Sequence, residues 1–143
     1  MKTIVMVFLL TCLTAGVHAQ EKYLKDKEAT EALSKDVAEL FKENKYPEAF
    51  KELSAYWPLP QSELQELEDK TSKYQDMIGQ RFGKAIGTLK VSEQTISDIA
   101  IKEVYLVRYE NSAIRLIFTY YRNNNGWVVN AFKWDDNFGE EFK

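Results

Sequence analysis

Three consecutive runs decide the fold: AIKEVYLVRY (100–109), ENSAIRLIFTYYR (110–122) and NNNGWVVNAFKW (123–134). Each is rich in β-branched and aromatic residues, the types that fit a pleated, half-buried surface. Turn-prone residues separate them. Glu110-Asn111 is short enough for a tight hairpin, and Asn123-Asn124-Asn125-Gly126 is the strongest turn signal in the chain, because Asn-Gly tolerates the positive φ that hairpin turns require. The pattern predicts strands over Ala100–Tyr109, Ser112–Arg122 and Trp127–Trp134. Upstream, the residues following Gly83 change to the same character and predict a fourth strand over Ile86–Glu93. Consecutive strands joined by short turns make an antiparallel meander.

A two-residue loop at Glu110-Asn111 pairs Tyr109 with Ser112, Val107 with Ile114 and Tyr105 with Leu116. One face then carries Tyr105, Val107, Ile114, Leu116, Phe118 and Tyr120 and should pack on helices. The other carries Lys102, Val104, Leu106, Arg108, Arg115, Ile117, Thr119 and Tyr121. The last strand turns on parity. A two- or four-residue Asn-Gly loop puts Phe132 and Trp134 beside Arg115, whereas a three-residue loop with a bulge puts them beside Leu116 and Phe118. The second arrangement is favoured because it takes the large aromatics away from water. The Arg115 face is more apolar than a solvent face should be, and two explanations stay open: a second copy of the chain, or a pocket.

Before the strands the periodicity is helical. Glu21–Glu43 places Ala29, Leu33, Val37, Leu40 and Phe41 on one stripe. Pro47 suits the first turn of a second helix, running to about Trp57 with Tyr46, Phe50, Leu53, Tyr56 and Trp57 as its apolar set, and Pro58-Leu59-Pro60 stops it. Trp57 reads as a packing lid. Ser62, with Gln65 three residues on, fits a capping box for a third helix, whose stripe is Leu64, Leu67, Thr71, Tyr74, Met77, Ile78 and Phe82; Gly83 would end it. Helices first and strands second give an α+β class with segregated layers.

The chain opens MKTIVMVFLLTCLTAGVHAQ. Lys2 is a positive tip, Ile4–Leu10 an unbroken apolar run, and Val17-His18-Ala19 a small-residue exit. The expectation is a signal peptide over residues 1–19, cut after Ala19, and a single α+β domain over 20–143 that is secreted or periplasmic. The apolar run is well short of the roughly 20 residues of a membrane span. Leu9-Leu10-Thr11-Cys12 loosely resembles a lipobox, so lipid anchoring through Cys12 is the lesser alternative. Cleavage leaves 124 residues and, because Lys2 leaves with the signal, moves the net charge from −3 to −4. That mild acidity gives no support for nucleic-acid binding.

Cys12 and His18 are the only cysteine and histidine in the chain. The cleaved form has neither. Disulfides, a Cys nucleophile, Ser-His and Cys-His dyads, Cys/His zinc sites, His- or Cys-ligated haem and iron–sulfur clusters are then excluded. There is no Gly-rich phosphate loop and no nucleophile elbow. Gly79, Gly83 and Gly87 recur every four residues, but in a stretch too polar for a membrane helix contact.

Helices followed by an antiparallel meander that ends YYRNNNGWVVNAFKWDDNF resemble the nuclear transport factor 2-like (cystatin-like) superfamily, in particular its small exported bacterial members. Arg115–Tyr121, Asn125-Gly126-Trp127 and Phe132-Lys133-Trp134-Asp135-Asp136 carry the resemblance. It implies a cone with a pocket between sheet and helices, and often a homodimer through the outer sheet face. The superfamily's isomerases and cyclases use Asp, Tyr or His pairs inside the cone. No such pair can be placed on this sequence.

Several candidates remain. Tyr105, Arg115, Tyr120 and Trp134 are the candidate ligand-binding residues, within an aromatic set that also includes Tyr109, Tyr121 and Trp127. Arg108 and Arg115 share a face and would make either an anion clamp or a pair of surface arginines bridged to carboxylates. Asp135-Asp136, with Glu140-Glu141 nearby, would make either an oxygen-ligand cation site or a solvated acidic strand end; the spacing of a calcium loop is absent. No catalytic residue, cofactor or metal is assigned. The expected function is a non-catalytic binding or interaction domain for a small amphipathic ligand or an envelope protein partner. A periplasmic inhibitor or immunity-type protein, and a His-free isomerase or hydrolase using a carboxylate and Tyr, are the alternatives.

Overall fold

Asp26 starts the first helix. Its carboxylate accepts a hydrogen bond from the Ala29 amide at 2.8 Å, satisfying one of the orphan donors of the first turn. The helix, α1, runs Lys27–Lys42, later than the Glu21 start that periodicity suggested. The residues before it are held differently: Leu24 pairs with Trp127 through bonds of 2.9 and 2.8 Å. In this computed structural model residues 22–143 are described. The expected signal, its cut after Ala19, Cys12 and His18 lie outside the described residues.

Helix α2 spans Tyr46–Ser54 with Pro47 in its first turn, and α3 spans Gln61–Phe82. The capping box at Ser62 does not form. Pro60 is the cap residue and offers no side-chain bond, Ser62 is already helical, and Gln65 bonds Asp69 at 3.0 Å instead. Gly83 does end α3, at φ +81°, with its amide on the Gly79 carbonyl at 3.1 Å.

Four strands follow: β1 (Ala85–Ile96), β2 (Ala100–Tyr109), β3 (Ala113–Arg122) and β4 (Trp127–Asp135), then a 3-10 turn at Phe138–Glu141. The sheet order is β1-β2-β3-β4, all antiparallel and not closed. The helices pack on one of its faces, so the expected α+β architecture holds. No helix among the described residues is long and apolar enough to cross a membrane.

The β2–β3 register is the one a two-residue loop dictates: Val107 opposite Ile114 and Tyr105 opposite Leu116. The β4 phase arrives by another route than the one the turn suggested. The Asn123 amide bonds the Gly126 carbonyl at 2.9 Å, which leaves a two-residue loop and places Arg122 opposite Trp127. The register then shifts at Asn130, between Val129 and Ala131. This bulge returns Phe132 and Trp134 to the helix side, opposite Phe118 and Leu116.

The core lies between α1, α2 and the inner sheet face. Val37, Phe41, Tyr46, Leu53, Val107, Ile114, Leu116, Phe118, Tyr120 and Val129 are essentially fully buried. Phe132 meets Phe41, Phe50 and Trp57 edge-on at 5.6, 5.8 and 6.5 Å between ring centres, so Trp57 does pack as a lid.

Candidate functional site

The long helix α3 is the least embedded element. Of its described side chains only Leu64, Thr71, Ile78 and Phe82 are buried. Tyr74 and Met77, expected on the buried stripe, are 47% and 57% exposed. The reason is spacing. At its midpoint the helix stands off the sheet, and Trp134 rises from β4 into the gap. Its indole Nε1 donates to Thr71 Oγ1 at 3.0 Å, and Tyr74 meets the ring edge-on at 6.4 Å.

Two hollows flank this Tyr74–Trp134 contact. One, of about 310 Å³, is lined by Met77, Ile78, Phe82, Ile114 and the two aromatics, with Arg81, Asp135 and Asp136 at its rim. The other, of about 190 Å³, is lined by Phe50, Leu67, Thr71 and Phe132, with Lys70 at its rim. Together they form an apolar groove with charged ends. Arg81 reaches Asp136 at 3.5 Å and lies over the Phe82 ring.

The four residues expected to bind ligand are not gathered into one site. Trp134 lines the groove. Tyr105 and Tyr120 are buried on the inner face behind α1. Arg115 is on the outer face, where its guanidinium holds Asp135 through two bonds of 3.0 and 2.8 Å and Glu141 through a third of 2.9 Å. The anion site at Arg115 is thus filled by the chain's own carboxylates, and those bonds hold the Asp135 carboxyl below its ordinary range. Arg108 is exposed on the same face. Among the described residues no group of three Asp or Glu side chains is arranged to hold a metal ion. In the remaining aromatic set, Tyr109 and Trp127 are buried and Tyr121 is half exposed.

A second cluster was not foreseen. Glu103 on β2 has no exposed surface. Its carboxylate accepts from Ser34 Oγ at 2.5 Å and from Thr30 Oγ1 at 3.4 Å, both on α1. Ser34 Oγ also meets the Tyr120 hydroxyl at 2.7 Å. Lys90 Nζ stands 3.9 Å from Glu103 and bonds Glu93 and Glu31 at 2.6 and 3.2 Å, while Lys27 pairs with Glu93. Burial pushes the Glu103 carboxyl up, against the pull of Ser34 and Lys90. Burial also pushes the Tyr105 phenol up to about 12. For Lys90 burial works downward but is outweighed by Glu93 and Glu31, so its ammonium is held above the usual range. Serine, carboxylate, phenol and ammonium together are the vocabulary of acid–base chemistry. Thr30, Ser34, Glu103 and Tyr120 are all buried, so the cluster does not open onto the surface in this structure.

Strand parity could have found this cluster. Glu103 is in phase with Tyr105 and Val107, so an inward Tyr105 forces a carboxylate inside. No family model matches the chain, and neither a curated protein nor a solved structure matches it.

Proposed function

We propose that the chain is an exported, non-catalytic binding module of nuclear transport factor 2-like build that holds a small amphipathic ligand in the groove between α3 and β4. The observation that carries this is the exposure of Tyr74 and Met77 over an apolar hollow of about 310 Å³. Large apolar side chains left open around a concavity, with charges confined to its ends, suit a ligand with an apolar body and a polar terminus. Lys70 at one end favours an anionic terminus. Export is supported by the tip, apolar run and exit of residues 1–19. The superfamily reading rests on the three helices that, among the described residues, precede a four-stranded meander, and on the Asn-Gly-Trp stretch before its last strand.

Dansyl-undecanoic acid is a suitable probe, because its emission rises on leaving water. The chain should bind it with saturable enhancement at micromolar concentration. Met77→Glu puts a carboxylate at an already exposed position of the groove wall, so it should fold normally and bind at least about tenfold more weakly, the cost of desolvating a charge against an apolar ligand. Absence of saturable enhancement with the unaltered chain would sink the proposal.

A further inference from the structure

The outer face of the sheet, opposite the helices, has a charge pattern of its own. Register places Lys102, Arg108, Arg115 and Lys133 there, against one strand carboxylate, Asp135, among the described residues. This is a cationic face on a chain of net charge −3. Lys102, Arg108 and Lys133 are exposed and make no ion pair among the described residues. Between the charges runs an apolar strip: Val104 and Ile117 are buried although they point away from the helices, and Leu106 is half-buried.

The Phe138–Glu141 turn lies against this face. The Glu141 carboxylate accepts from Arg115 Nη1 at 2.9 Å and from Ser92 Oγ at 3.2 Å. Arg115 is on β3 opposite Leu106, and Ser92 is on β1 opposite Val104. A carboxylate bonded to both therefore sits over β2, between the two apolar residues. Phe138 and Phe142 flank it, in contact with each other, and Phe142 is 81% exposed.

We propose that this outer face is a docking surface for an acidic, aromatic peptide segment of a protein partner, and that the chain's own Phe138–Phe142 segment occupies it in cis. The occupant's chemistry is read from the segment already seated: the Glu141 carboxylate on Arg115 and Ser92, with the rings of Phe138 and Phe142 on either side of it in the sequence. The seated segment engages one of four cations. A partner that also presents carboxylates to Lys102, Arg108 and Lys133 gains contacts the Phe138–Phe142 segment does not make. The tethered segment competes at an effective concentration on the order of millimolar, so it excludes weak binders and yields to better ones.

The test uses a chain ending at Asp136, and a fluorescein-labelled peptide with the sequence of residues 137–143. The shortened chain should bind this peptide with Kd about 0.1 mM, and the full chain at least about tenfold more weakly, the ratio a millimolar tethered competitor imposes. The peptide with both glutamates changed to lysine should not bind. Glu141→Gln in the full chain, which loosens the segment without shortening it, should recover most of the affinity. The proposal is overturned if the shortened chain, folded by circular dichroism, does not bind the peptide, or binds the lysine version equally. It is equally overturned if that chain dimerises and ignores the peptide, since the face would then belong to a second copy. Should the shortened chain fail to fold, Glu141→Gln binding no better than the unaltered chain overturns it.

Discussion

Glu103 is a carboxylate that the fold encloses completely, and its surroundings fix how the protein answers to pH. Lys27, Glu31, Thr30 and Ser34 face it from α1, Lys90 and Glu93 from β1, Tyr120 from β3, and Tyr105 from its own strand. Burial raises its proton affinity above that of the unfolded chain. Between the unfolded carboxyl value, about 4.3, and the higher folded midpoint, the folded state binds more protons. Stability from this group is therefore full below that window and is lost as pH rises through it. Glu39, Glu93 and Asp135 are shifted down by their cationic partners and hydrogen bonds, so their contribution has the opposite sign and fades as pH falls. Comparison with Glu103→Gln separates the two. The amide keeps the shape and an acceptor for Ser34 but cannot ionise. Urea unfolding should give nearly equal stabilities at pH 4 and a growing advantage for the variant toward pH 8. A difference that does not change with pH would mean that Glu103 titrates alike in both states.

At the scale of elements, the strands were easier to place than their details. The β2–β3 register followed from the length of one loop, because a two-residue hairpin leaves no freedom. The phase of β4 did not. Nothing in Val129-Asn130-Ala131 announces that Asn130 bulges out, and the shift comes from where Phe132 and Trp134 find apolar company on the helix side. The groove was hidden for a related reason. Helical periodicity assigned Tyr74 and Met77 to a buried stripe, but periodicity gives the direction of a side chain and not the distance of its helix from the sheet. The Asn-Gly turn was legible, and its Gly has a second constraint that was not. Gly126 has φ +148°, and a Cβ there would stand 2.7 Å from the Leu24 carbonyl oxygen, the atom that accepts from the Trp127 amide. Gly126→Ala should therefore strain the turn and loosen the Leu24 strand cover together. Thermal unfolding should show a loss of about 1–3 kcal/mol, and amide exchange at Trp127 should accelerate. An unchanged melting temperature would show that the turn has room to relax.

The molecule as a whole is held unevenly across its sheet, and this unevenness bears on the groove. Helix α1 lies flat on the inner face, with Thr30, Leu33, Ser34, Val37, Ala38 and Phe41 buried along its length. It is fastened further by the Glu103 bonds and by the Lys90 pairs. Helix α3 is longer but has few buried anchors, and its middle faces the hollows beside Trp134. Regions with sparse apolar contacts open at lower free energy than the global transition, and ligand-binding elements are drawn from that end of the range. Native-state hydrogen exchange should therefore resolve two classes of amide. Those in α1 and in β2 and β3 should exchange only through global unfolding. Those around Thr71–Ile78 should exchange at least about tenfold faster, through an opening that moves α3 away from β4. Saturation with dansyl-undecanoic acid should slow the α3 class selectively, because a ligand seated against Tyr74 and Met77 must be released before the helix can lift. Exchange of both helices in one cooperative step would contradict this division of the fold. Protection spread equally over α1 and α3 on adding the probe would place the ligand somewhere other than the groove.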